Sequence, residues 1–380
     1  MATRPTWAEV SLSQLTENCR VIREHVGPER AIMAVVKADA YGHGLSEVAR
    51  TLAQAGVDWF GVASSDEGVE LRQLGITQPI LLLTGFWEGE QTALTDYDLV
   101  PAIYSEDQLA TIEEWGRRMD RRIPFHLKVN TGMGMLGLHW QGVEPFLKLY
   151  RSMSYAVLDG LFEQFAAAED FTTRQTEEQL ERFQCVEQGL TRAGIRPRYF
   201  HQANSQAIVG RPESWGNLVR PGLLLYGYHL PMRVPEDSAG PSVRQLPVRE
   251  ILSFKTKVIA VKEVPEGIPL GYGGRYVTSR HSRIATLPAG YADGMMRRLS
   301  GGGKVLIRGQ FAPIVASISM DLTLVDVTDI ADLCVGDEVV VIGRQGDAAQ
   351  TAIDLAEATG TLPYEILCGI GKRVPRRYIP

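Results

Sequence analysis

The 380-residue chain has only four cysteines, Cys19, Cys185, Cys334 and Cys368. They are scattered, with no C-x-x-C pair, so neither a disulfide framework nor a zinc site is indicated. Its seven histidines include no H-E-x-x-H spacing, and no G-x-S-x-G marks a serine nucleophile. No apolar run approaches membrane-spanning length, and Met1 to Val10 lacks the apolar core of a signal peptide. A net charge of −6 gives no broad attraction to nucleic acid or anionic lipid. The expectation from these absences is a cytoplasmic protein, with no zinc site and no broad attraction to nucleic acid or membrane.

What is present is an alternation. Apolar strand-like runs at Ala31, Trp59–Ala63, Pro79–Thr84, Leu99–Tyr104, Pro124–Asn130, Ala156–Phe162, Arg198–Gln202 and Leu218–Tyr226 are separated by helical patterns. Eight such βα repeats predict a TIM-like (β/α)8 barrel, with an open doubly wound sheet as the competing arrangement. The polar, Pro/Gly-bearing stretch Val234–Pro241 then reads as a linker. Beyond it, strand-like runs dominate, with one helix at Ala352–Thr359 and a hairpin turn at Gly301–Gly303. The expectation is therefore an α/β chain with a barrel over 1–238 and a mainly β domain over 239–380. The first residues would be free to join the second domain.

The first strand runs into Lys37-Ala-Asp-Ala-Tyr41-Gly-His43-Gly. A lysine at the end of a buried strand is partly desolvated, which lowers its pKa and makes a usable amine nucleophile or base. Position alone also allows a lysine that merely snorkels to solvent. Two later stretches fall where barrels bind phosphate groups, on the loops after the last strands. His201-Gln-Ala-Asn204-Ser205 offers a hydroxyl and backbone N–H groups, and Arg220-Pro-Gly222-Leu223 lets backbone approach a ligand.

The Lys37 motif closely resembles the signature of the alanine racemases, in which that lysine carries pyridoxal 5′-phosphate as a Schiff base. The resemblance spans nearly the whole chain: Leu270-Gly-Tyr272, Ala289-Gly-Tyr291, Ser317-Ile-Ser-Met320 and Cys368-Gly-Ile-Gly-Lys372 are similar to further motifs of that family. It implies a PLP-dependent amino acid racemase. Lys37 and Tyr272 would act as bases on opposite faces of the substrate. Tyr41, Asn204, Ser205, Gly222 and Leu223 would lie at the cofactor phosphate and Arg220 at the pyridine nitrogen. It also implies a homodimer in which Tyr272, Tyr291 and Met320 reach the partner's cofactor. Lys372 would stand where some members have a phosphate-binding tyrosine.

The pocket departs from the pattern. Met135 occupies the place of an arginine that contacts cofactor and substrate carboxylate, and Glu163-Gln164 replaces the usual Thr-His. Methionine cannot donate a hydrogen bond, and glutamine cannot carry charge. Glu163 would bring a carboxylate to a site that binds carboxylates. In some members a carbamylated lysine at the place of Lys128 holds that arginine; without it, the expectation is an unmodified Lys128 paired with Glu163 or another acid. Met135, Gln164, Tyr291 and Met320 are the expected substrate contacts. These changes leave open a diverged or engineered PLP enzyme with another reaction, such as retro-aldol cleavage or transamination, or a PLP-binding protein without catalysis.

Overall fold

The computed structural model describes residues 4–235 and 245–380. They form two compact units, each discontinuous in sequence. One comprises 15–40 and the described part of 45–249; the other comprises the residues up to 14, 41–44 and those from 250 onward. The boundary expected at 238/239, and most of the linker, lie outside the described residues.

In the first unit eight parallel strands form a nearly closed barrel: Ala31–Val35, Trp59–Val62, Ile80–Leu82, Leu99–Ile103, Ile123–Asn130, Ala156–Phe162, Tyr199–His201 and Leu218–Val219. They pair in that order, and the last pairs back to the first. Between the seventh and eighth strands the link is looser, through Asn217 N–H to Phe200 O (3.2 Å) and Arg220 N–H to Ala203 O (3.0 Å). The eighth strand is much shorter than the Leu218–Tyr226 run suggests. Pro221 has no N–H for a ladder, and the chain beyond it coils through successive turns. Met33, Trp59, Leu81, Val100 and Leu218, one from each of five strands, form a buried cluster inside the barrel. The ring of His126 enters that layer, 5.1 Å from Trp59.

The first strand ends at Val35, short of Lys37, and Lys37 opens the turn Lys37–Gly42. Ala38, Asp39, Ala40 and Tyr41 all have φ between 52° and 55°. Four successive non-glycine residues in the left-handed region cost about 1–2 kcal/mol each. Side chains hold the turn: Ala38 N–H donates to Glu67 Oε1 and Leu45 N–H to Asp39 Oδ1, both at 2.7 Å. Nothing in the composition of Lys-Ala-Asp-Ala favours this geometry locally.

The second unit is built on a mainly antiparallel sheet. Its first strand, Thr6–Ser11, lies between Leu252–Lys257, antiparallel to it, and Arg376–Ile379, parallel to it. Gln310–Val315 and Thr323–Asp326 are two antiparallel strands of that sheet. A second helix, Pro363–Cys368, follows Ala352–Thr359; Pro363 at its first position needs no N–H partner. Gly301–Gly303 is not a hairpin: it leads from the 3-10 turn Arg297–Leu299 into the strand Lys304–Ile307.

Gly42 belongs to this unit, with φ +78° and its carbonyl accepting from Arg376 at 2.7 and 3.0 Å. A Cβ here would lie 2.3 Å from Leu367 O, whereas one at Gly56, with φ +82°, would meet nothing within 4 Å. Gly42→Ala should therefore destabilise by about 1–3 kcal/mol and by more than Gly56→Ala. Denaturant unfolding of both variants measures this; equal losses would show that the close approach carries no cost.

Candidate active site

The carboxyl ends of the barrel strands carry the polar residues, as barrel geometry directs. Val35 donates its N–H to Pro221 O at 3.0 Å, which sets the Lys37 turn beside the Arg220 segment. Arg220 is buried, yet among the described residues no carboxylate oxygen is bonded to it. Its Nη1 donates to His201 O (2.6 Å) and His201 Nδ1 (3.1 Å). Its Nη2 donates to Glu163 O (2.7 Å), Gln202 O (3.1 Å) and Gln164 Oε1 (3.2 Å). The Nε–H is left without a protein acceptor among the described residues. Burial pulls the guanidinium down to about 10, with Glu163 opposing, so it stays a cation at neutral pH.

That geometry sets two tautomers. A guanidinium has no acceptor, so His201 Nδ1 must accept, which puts its proton on Nε2. His201 Nε2 is 2.8 Å from His126 Nδ1 and donates to it. The remaining proton, on His126 Nε2, is buried without a hydrogen-bond partner among the described residues. Burial, with Arg220 nearby, pushes His126 down to about 3, and His201 lies well below its ordinary value for the same reasons and because of His126. Both rings are neutral. Phe162 lies flat against His201 (4.8 Å, 3° between planes) and faces both Arg220 and Lys128 at 5.5 Å.

Lys128 donates to Leu83 O at 3.2 Å. Burial, then the charges of Arg220 and Lys37, push its ammonium down to about 8. The pairing with Glu163 expected from sequence does not form, because Glu163 is held by the Thr131 hydroxyl and the Gln202 amide. Glu163 is fully buried, and burial pushes it up to about 8, against the Gln202 bond and Arg220. At neutral pH it is mostly a neutral acid, so the carboxylate repulsion expected from sequence is largely absent there.

Ser205 Oγ accepts from Gly222 N–H (2.9 Å) and Leu224 N–H (3.2 Å). With both lone pairs engaged, its proton is directed elsewhere. Asn204 is spent as the cap of the short helix Ser205–Gly210, accepting from Gln206 and Ala207 N–H at 3.1 Å. Leu223 offers its carbonyl to Tyr226 and Tyr228, and its N–H has no acceptor among the described residues. The barrel thus gathers Lys37, Lys128, Arg220, Gln164, Ser205, Gly222 and Leu223. Met135, on the loop after the fifth strand, is instead 72% exposed and stands in solvent.

The other unit holds the remaining candidates. Tyr41 is buried against Tyr364, ring centroids 5.8 Å apart; burial raises its pKa far above the ordinary phenol, so it is a donor. Tyr272 is 77% exposed at the tip of a hairpin between Pro269–Leu270 and Tyr276–Val277, where glycines 271, 273 and 274 take positive φ. Tyr291 (45% exposed) and Met320 (53%) are neighbours, joined by Tyr291 N–H to Ser319 O (3.0 Å) and Ala292 N–H to Met320 O (3.1 Å). Buried Asp293 braces both turns, bonding Gly290 N–H and forming ion pairs with Arg4 (2.8 Å) and Arg373 (2.7 Å). Lys372 is exposed.

Sequence reading missed His126, Thr131 and Gln202. A signal existed for the first: His126 and Lys128 are polar residues two apart in an otherwise apolar strand, so both face the same side.

Family models of the alanine racemase N-terminal and C-terminal domains match residues 10–230 and 251–378. The chain belongs to the alanine racemase family. The alanine racemase of Halothermothrix orenii is 42% identical over 376 residues, covering 99% of this chain and 97% of the relative. A solved alanine racemase of Clostridium difficile 630 superposes with a TM-score of 0.89 at 34% identity, covering 100% and 97%. That of Bartonella henselae, with covalently bound pyridoxal phosphate, gives 0.87 at 30% identity, covering 99% of each chain. Alanine racemases are PLP-dependent isomerases, and the donors above fit that cofactor. The Ser205 hydroxyl proton and Leu223 N–H suit a phosphate, and Arg220 Nε–H suits a ring nitrogen that accepts.

Raising the pH through about 8 removes the charge of Lys128 and adds one on Glu163. Both changes disfavour an anion. Affinity for pyridoxine 5′-phosphate, which has no aldehyde to react, should fall as pH rises from 7 to 9, by about tenfold or more. Glu163→Gln should keep only the Lys128 part of that fall. Titration calorimetry measures it; affinity independent of pH would contradict the assigned charges.

Proposed function

We propose that the chain interconverts L- and D-alanine, with pyridoxal 5′-phosphate carried on Lys37. The observation that supports this reading is the unspent donor set beside the Lys37 turn: Arg220 Nε–H, the Ser205 hydroxyl proton and Leu223 N–H. The cofactor has the complementary acceptors, a ring nitrogen and a phosphate. When bound, it withdraws electrons from the substrate Cα and makes the Cα proton acidic.

The protein's own groups do the rest. Arg220 stays protonated and donates to the ring nitrogen, which keeps that withdrawal modest and limits side reactions. Lys37 Nζ takes or returns the proton on one face of Cα. Tyr272 of the partner subunit serves the opposite face, as inversion requires two acid/base groups. Ser205 and Leu223 would hold the phosphate, with Gly222 locking Ser205 in place and Tyr41 as the phenol assigned there. Gln164 accepts from Arg220, but unlike histidine it cannot pass charge between Arg220 and Tyr272. Met135 offers no donor to a substrate carboxylate.

The same reading makes the chain a homodimer with shared sites. Its support is three large side chains that the second unit leaves exposed, Tyr272, Tyr291 and Met320. Among the described residues no helix is long and apolar enough to cross a membrane, and no two cysteines are joined in a disulfide. Both fit a cytoplasmic location.

Purified protein loaded with PLP should convert L-alanine to the racemate, followed by chiral chromatography. Borohydride reduction and peptide mapping should place the pyridoxyl group on Lys37. A label on Lys128, or no D-alanine, would overturn the reading.

Lys37→Ala and Tyr272→Ala should each lose activity by a thousandfold or more, estimated roughly from the loss of an essential acid/base group. Mixed and allowed to exchange subunits, the two inactive proteins should regain activity, up to one intact site per heterodimer. Demonstrated exchange without regained activity would mean that each site is built within one chain.

A further inference from the structure

Glu163 has no part in the two-base chemistry, yet it is the most deeply buried carboxyl group among the described residues, with 0% of its surface exposed. Its Oε2 is hydrogen-bonded to Thr131 Oγ1, just beyond the fifth barrel strand, and as the neutral acid it donates that bond. Its Oε1 takes the Gln202 amide, just beyond the seventh. Glu163 itself follows the sixth. One side chain thus ties the carboxyl ends of three neighbouring strands.

Two of the residues so tied also hold Arg220. Glu163 O and Gln202 O each accept from Nη2 of Arg220, at 2.7 and 3.1 Å. The side-chain bond between Glu163 and Gln202 therefore fixes the spacing of two carbonyls that grip one nitrogen. Nη1 is gripped from the same segment, by His201 O at 2.6 Å. A planar guanidinium held at both terminal nitrogens has no freedom left in the direction of Nε–H. Further bonds stiffen the far end: Gln179 Nε2 donates to Thr131 Oγ1 and to Gln164 O, both at 3.0 Å, and Arg182 Nη1 to Thr131 O at 2.7 Å.

We propose that Glu163 is a positioning residue for the racemase reaction: by bridging Thr131 and Gln202 it locks the carbonyl cage that aims Arg220 Nε at the cofactor ring nitrogen. The inference rests on the PLP-dependent function proposed above. It also gives the Glu163 substitution a role other than repelling substrate. Threonine, the usual residue there in the family, is too short to span the same two partners.

The test uses the full chain loaded with PLP and the variants Glu163→Ala, Gln202→Ala and Glu163→Gln. The readouts are the visible absorption and circular dichroism of the bound cofactor, beside kcat and KM for L-alanine. Cutting the bridge from either side, with Glu163→Ala or Gln202→Ala, should shift the absorption maximum and alter the dichroic band. It should lower kcat about tenfold or more while KM moves about threefold or less. Glu163→Gln should keep the parental maximum, because the new amide has both an acceptor and a donor and Gln202 can turn its own amide to match. Gln202→Ala keeps the test open if Glu163→Ala does not fold. Unchanged spectra and kcat in the alanine variants, with only a lower melting temperature, would overturn the proposal. So would a Glu163→Gln spectrum shifted as far as that of Glu163→Ala. A parent that binds no PLP or yields no D-alanine would instead overturn the functional reading itself.

Discussion

The site depends on one buried positive charge that is met by neutral dipoles. Burying an isolated cation costs far more than burying an amide, and the usual remedy is a carboxylate in contact. Arg220 has none: its partners are three carbonyls, an amide oxygen and a neutral imidazole. Those acceptors belong to strand ends and the residues just beyond them, so the barrel has to bring its sixth, seventh and eighth strands into one register for the charge to be tolerated. The compensation is incomplete by one N–H, and Lys37 and Lys128 add to the positive field. An anionic ligand with a ring acceptor relieves both deficits, and whatever binds only the folded state also stabilises it.

The turn at Lys37 is the second constraint. Strand and turn place the lysine through four residues in a conformation that L-amino acids avoid. Such strain persists where surrounding bonds over-determine the backbone, and here Glu67 spans two segments at once, taking Ala38 N–H and Ala63 N–H at 2.7 Å each. A relaxed right-handed turn would carry the lysine elsewhere.

Much of this was legible in the sequence, for identifiable reasons. The eight barrel strands showed because most are short, largely apolar runs, as buried parallel strands are. The Lys37, Arg220 and tyrosine-bearing segments showed because their motifs resemble a known family. What did not show depends on distance in space. The left-handed turn is imposed by Glu67, 29 residues away from Ala38. The tautomers of His126 and His201 follow from Arg220, and the neutral state of Glu163 follows from its burial. The short eighth strand was overread because an apolar run looks the same whether it pairs in a ladder or coils through turns. Met135 is assigned to the substrate from its place in a motif, and in the single chain it is exposed, as Tyr272 is.

The second unit's sheet has a temporal consequence. Its strand Thr6–Ser11 is made before the barrel, yet both of its neighbours, Leu252–Lys257 and Arg376–Ile379, are made after it. During synthesis that strand must wait, edges unpaired, while the whole barrel sequence is translated. Strand pairing over such separations is slow, and open edges invite association with other chains. The barrel can begin to organise much earlier, since its strands pair largely in sequence order. The second unit should therefore acquire its structure after the barrel, and it depends on the strand Arg376–Ile379.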